Sequence, residues 1–139
     1  MTASSASVSS RWRTAGLALL AVALAAVGTT IASLAALAAG ADPSFAPLNP
    51  PVYLTFAVVG TLVAVGGWVL VVRRARRPAQ VLGILVPVLL VLSLVPDVIL
   101  MLTGFIPGTS VAGVVGLMLM HPIVAASAVL AGSMIAPPR

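Results

Sequence analysis

Apolar residues fall into four long runs, separated by short segments in which proline, glycine or arginine concentrates. The runs cover about 14–39, 52–72, 79–103 and 111–135. About 20 helical residues, at about 1.5 Å each, cross the hydrocarbon core of a bilayer, so each run is long enough to span it. A strand of a transmembrane barrel is about 9–11 residues long and alternates in polarity, and these runs do neither. The pattern therefore predicts four transmembrane helices and an all-α fold. Residues 40–51 (GADPSFAPLNPP) are predicted to be a loop, because proline removes an N–H and fixes φ. Arg73–Pro78 forms a basic turn and residues 104–110 (GFIPGTS) an uncharged one. Connections this short make sequence neighbours antiparallel, giving an up-down-up-down four-helix bundle. Residues 1–13 read as a disordered tail ending in an interfacial anchor, Arg11, Trp12 and Arg13, and residues 136–139 as a short second tail.

The charges orient this bundle. Arg11 and Arg13, then Arg73, Arg74, Arg76 and Arg77, then Arg139 all fall on one side of a four-pass arrangement. The two remaining loops carry no arginine, and one of them carries Asp42. The positive-inside rule then predicts both termini cytoplasmic in a cell-membrane protein, with the arginines also meeting anionic lipid headgroups. The first run, with small residues near its end, could be taken for a signal peptide, but at about 26 residues it is longer than the 7–15 of such a core. On the same model, Tyr53 is expected in the outer aromatic belt and Trp68 in the inner one.

Composition narrows the function classes. Hydrophobic residues make up 61% of the 139 and charged residues 6%, too little polarity to cover a soluble domain or to keep a chain disordered. The net charge of +5 does not read as a nucleic-acid surface, since the arginines sit only beside apolar runs. The absence of cysteine excludes disulfides, thiolate metal sites and cysteine nucleophiles.

Asp97 is the most informative residue. It lies within the third run, and a charged aspartate near a bilayer centre costs about 2.5–3.5 kcal/mol on insertion scales. Its expected partner is His121, the chain's single histidine. With the intervening turn centred near Gly108, Asp97 stands level with about residue 119, within one helical turn of His121. Pro96 and Pro122 flank the pair and deprive the carbonyls of Leu92 and Met118 of their usual donors. Thr30, Ser33 and Ser93, with Thr29, Thr55 and Thr61, are candidates to line a polar pocket there, or else to bond their own backbone. One histidine and one buried carboxylate are too few to close a metal site, and no phosphate loop or serine triad can be assembled, so no metal, cofactor or catalytic residue is expected.

Small residues mark where helices can approach closely. The first helix offers Ala21, Ala25, Gly28, Ala32, Ala35 and Ala39, the second Gly60, Ala64 and Gly67. The fourth offers Gly113 and Gly116 near its start, then His121, Ala125, Ala128 and Gly132. A leftover seam would serve a homo-oligomer or another membrane protein. Three function classes fit, in this order: a non-catalytic interaction or accessory module clamped by Asp97 and His121, a proton-coupled transporter or channel subunit, and a membrane enzyme using the two residues as acid and base.

The chain resembles a family of small four-helix integral membrane proteins of unknown function common in actinobacteria. The resemblance rests on the length, on SSRWRTAGLALL at 9–20, on SLVPDVILM at 93–101 and on MLMHPIVAAS at 118–127, and extends over about 11–135. It implies a membrane location and no established activity, and it marks Asp97 and His121 as the polar positions to carry over.

Overall fold

Four helices account for most of the chain: α1 (Ala3–Ala38), α2 (Pro50–Arg74), α3 (Pro78–Thr103) and α4 (Val111–Ile135). The computed structural model describes residues 3–139, with side chains from Arg11 onward; Met1 and Thr2 lie outside the described residues. Among the described residues there is no strand, and all four helices are long and apolar enough to cross a membrane.

Local chemistry sets the boundaries. Proline stands in the first turn of α2 and of α3, where its missing N–H costs nothing and its φ is already helical. Ser110 caps α4, its hydroxyl oxygen accepting from the Gly113 N–H at 3.1 Å. Gly104 ends α3 in the left-handed region, at φ 60°, with its N–H donating to the Leu100 carbonyl at 2.8 Å. The first helix differs most from expectation. It continues through Arg11 back to Ala3, over residues assigned above to a disordered tail, because this serine- and alanine-rich segment contains no proline or glycine to stop it.

The packing is uneven. α1 and α4 form the closest pair, and α2 leans on both. The buried ladder of α1 runs Ala21, Ala25, Thr29, Ala32 and Ala36, a line of three- and four-residue steps. Ala35 and Ala39, expected on that seam, are exposed because each is rotated off the line. On α2 the buried line is Tyr53, Ala57, Thr61, Val65 and Trp68, which leaves the expected seam residues Ala64 and Gly67 exposed. Tyr53 and Trp68 are thus buried inside the bundle.

α3 stands apart. Its buried residues are Pro78, Leu82, Asp97 and Leu100, and nothing between Leu82 and Asp97 is buried. Pro87 and Pro96 both lie inside this helix. The main core sits at the end of the bundle formed by the α1–α2 and α3–α4 connections, and gathers Ala36, Phe45, Leu48, Tyr53, Leu100, Val114 and Met120. The predicted loop at 40–51 is part of it: Phe45 is wholly buried, and residues 46–48 make one 3-10 turn. Ser33 reaches across to donate to the Leu48 carbonyl at 3.0 Å. The second connection closes over the first at Gly108, at φ 77°, where a Cβ would meet the Phe45 backbone nitrogen at 3.0 Å. A smaller cluster, Ala21, Val65, Ala128 and Ala131, holds the opposite end.

Candidate functional site

Where no residue of α3 between Leu82 and Asp97 is buried, a cleft of about 1020 Å³ runs between α2, α3 and α4. Its walls are leucine, valine and alanine almost throughout, and Gly60, Ala64 and Gly67 widen it on the α2 side. A Cβ on Gly67 would meet nothing within 4 Å. The polar residues lining it are Thr29, Tyr53, Trp68, Ser93, Asp97 and His121.

Asp97 and His121 come together there. His121 Nδ1 stands 3.3 Å from Asp97 Oδ2, as the register of the α3–α4 hairpin allows. Asp97 is 5% exposed, while the His121 side chain keeps 28% of its surface. The contact is nevertheless not an aligned hydrogen bond. His121 Nδ1 lies 3.1 Å from the Leu117 carbonyl, one turn back on its own helix. A carbonyl and an ionised carboxylate both only accept, so a hydrogen on Nδ1 faces two acceptors, of which the Leu117 carbonyl is the nearer. Asp97 Oδ2 is left buried with no donor. The pair is thus held by proximity, and becomes an ion pair when the imidazole is protonated, rather than by an aligned hydrogen bond.

The remaining donors on the cleft wall are committed as well. Thr29 Oγ1 donates to the Ala25 carbonyl at 2.8 Å and Ser93 Oγ to the Leu90 carbonyl at 2.7 Å. Tyr53 donates to Thr30 Oγ1 at 3.2 Å, and the Trp68 indole N–H to the Ala136 carbonyl at 3.0 Å. Of the hydroxyls grouped with the pair in the sequence, only Thr29 and Ser93 reach the cleft. Thr30 and Ser33 do not line it: Thr30 lies behind Tyr53, bonded to the Ala26 carbonyl at 2.7 Å, and Ser33 belongs to the loop contact with Leu48. Thr55 turns outward to the Pro51 carbonyl, and Thr61 is wholly buried without a hydrogen-bond partner. No arginine lines the cleft, and among the described residues no three metal-ligating side chains cluster.

Two features of the site escaped the sequence reading. The glycine–alanine stripe of α2 reads as a packing seam, and its role as a cleft wall follows only once α3 stands away from it. The Leu117 carbonyl is invisible in a list of side chains, although proline at 122 is a signal of irregular backbone bonding nearby.

The arrangement presents one buried acceptor in an otherwise apolar hollow. No curated protein and no solved structure matches the chain. A family model does, over residues 6–136, which is nearly all of the sequence, and it fits the four-helix apolar architecture described above. The chain thus belongs to the family described as a family of unknown function (DUF6069).

Proposed function

We propose that the chain is a small multi-pass protein of the cell membrane that works without catalysis, as an interaction module that holds a membrane-resident molecule in its cleft. The bundle is antiparallel, up-down-up-down, with both termini cytoplasmic. Contacts support the order: Gly28 faces Ile123 and Gly116 faces Ala36, so numbers fall along α1 as they rise along α4. Gly60 with Val124 and Trp68 with Gly132 rise together along α2 and α4. Arginine confined to one end supports the orientation.

The observation that carries the interaction reading is Asp97, a buried acceptor without a donor that lines a cleft of ligand size. Small-molecule sites occupy about 300–1,000 Å³ and are mostly apolar with a few placed polar groups. The outer face of α3, with Ile84, Val91, Leu92 and Leu102 exposed, is left to lipid.

Native mass spectrometry of the protein extracted gently from its own membranes tests this reading. A retained small molecule is expected in the wild type and not in Gly67→Leu, whose Cβ would meet nothing within 4 Å and whose side chain would occupy the cleft. Protein that emerges bare, or an adduct indifferent to Gly67→Leu, would contradict it.

A further inference from the structure

The chemistry of the cleft wall specifies the head group of its occupant. Asp97 Oδ2 accepts and has no donor. The hydroxyl and indole hydrogens of the wall are already used, since Thr29, Tyr53, Trp68 and Ser93 all donate elsewhere, and His121 Nδ1 has the Leu117 carbonyl as its nearer neighbour. The missing donor must come from the ligand. An ionised carboxylate in an apolar hollow has one ionisable neighbour, the His121 ring 3.3 Å away, and no arginine lines the cleft to offset it further. A primary ammonium brings three donors, no acceptor and the opposite charge. A carboxylic acid or phosphate head would bring acceptors to an acceptor. An alcohol would bring one hydrogen and no charge.

The shape specifies the rest. From Asp97 the cleft continues along α2 past Ala64 and Gly67 to Trp68, between walls of Leu82, Leu85 and Leu89 and of Val124 and Ala128. Gly60 to Trp68 alone is about 12 Å of helix, lined for an alkyl chain lying along it. We propose that the cleft binds a single-chain lipophilic amine, its ammonium donating to the Asp97 carboxylate and its chain lying along α2 toward Trp68. This rests on the reading of the cleft as a binding site and names its ligand class.

Dodecylamine brominated at the far end of its chain is the probe. Trp12 and Trp68 are the two indoles of the chain, so Trp12→Phe leaves Trp68 as the sole reporter. In phosphatidylcholine nanodiscs the probe is expected to quench Trp68 saturably. Asp97→Asn should raise the half-quenching amount by about tenfold or more, the worth of a charge-assisted hydrogen bond. Gly67→Leu, folded by its circular dichroism, should abolish the saturable part, and ω-bromododecanoic acid should show none in any variant. Exchanging the bilayer for phosphatidylethanolamine should leave the half-point within about twofold, a difference too small to signal competition for the site.

Equal quenching by the brominated amine, alcohol and acid would overturn the head-group assignment while leaving a chain-binding module in place. So would an unchanged half-point in Asp97→Asn. Competition by phosphatidylethanolamine would assign the site to a lipid headgroup and overturn the single-chain ligand. Absence of saturable quenching by every probe would overturn the proposal outright, and the adduct from native membranes then decides separately whether the cleft binds anything.

Discussion

Trp68 of α2 lies directly against Gly132 of α4: a Cβ on the glycine would sit 2.6 Å from the indole Cγ and 2.8 Å from Cδ2. The same indole donates its N–H to the Ala136 carbonyl at 3.0 Å, just beyond the end of α4. The ring therefore joins the two helices by contact and by hydrogen bond. Gly132→Ala forces the ring or the helix to move, because these are ring atoms fixed to a buried side chain. A loss of about 1–3 kcal/mol is expected, the usual cost of overpacking. Detergent unfolding followed by circular dichroism measures it, and wild-type stability would contradict the joint.

The hydroxyls grouped together in the sequence should separate by mutation. Ser33→Ala deprives the buried Leu48 carbonyl of its cross-element donor, and should cost about 1–3 kcal/mol. Ser93→Ala removes only a bond to Leu90 within its own helix, and should change stability by less than about 0.5 kcal/mol. The same unfolding experiment compares them, and equal effects would refute the distinction.

Asp42 reports on the loop that covers the main core. The Ser44 N–H, donating to Asp42 Oδ1 at 2.8 Å, holds the carboxyl below its ordinary range, with the Ser44 side chain adding to the effect. A depressed folded value means that the turn is favoured above the ordinary aspartate value of about 3.9 and loses this support as pH falls through the lower, folded value. In detergent NMR the Ser44 amide shift should titrate with a midpoint below that of a model aspartate, and Asp42→Asn should flatten the curve. A midpoint at or above the ordinary value would count against the bond.

The orientation can be read with single cysteines, since the chain has none of its own. A cysteine at Ala75, in the basic turn, should react with an impermeant maleimide only after cells are opened. One at Ser44, in the proline-rich loop, should react from outside. The reverse pattern would invert the bundle, and reaction of both from one side would remove the second span.

Much of the fold was legible because its boundaries are chemical. Proline, glycine and arginine mark the helix ends, and the spans read from the sequence differ from α2, α3 and α4 by a residue or two. The level of Asp97 against His121 followed from the turn between them. Facing was less legible: alanine is so common in α1 that every side looked packable, and only the structure separates Ala32 and Ala36 from Ala35 and Ala39. The chain also could not announce that α3 would bridge two ends and leave its middle free. That depends on where Leu82 and Leu100 dock, and nothing in the run of leucine and valine between them distinguishes a helix neighbour from lipid. Finally, the sequence brings a carboxylate and an imidazole to one level, but the same ring nitrogen also meets a backbone carbonyl that no side-chain pattern records.

The central claim is that Asp97 is kept for what enters the cleft and not for the fold. The most direct measurement is the detergent stability of Asp97→Leu beside the wild type, with no amine present. A buried acceptor without a donor costs about 1–3 kcal/mol, so replacing it by an apolar side chain of similar size should leave stability unchanged or raise it, while amine binding is lost. A fall of about 3–5 kcal/mol, the penalty for breaking a buried charged pair, would show instead that Asp97 and His121 hold the bundle together, and would contradict the account.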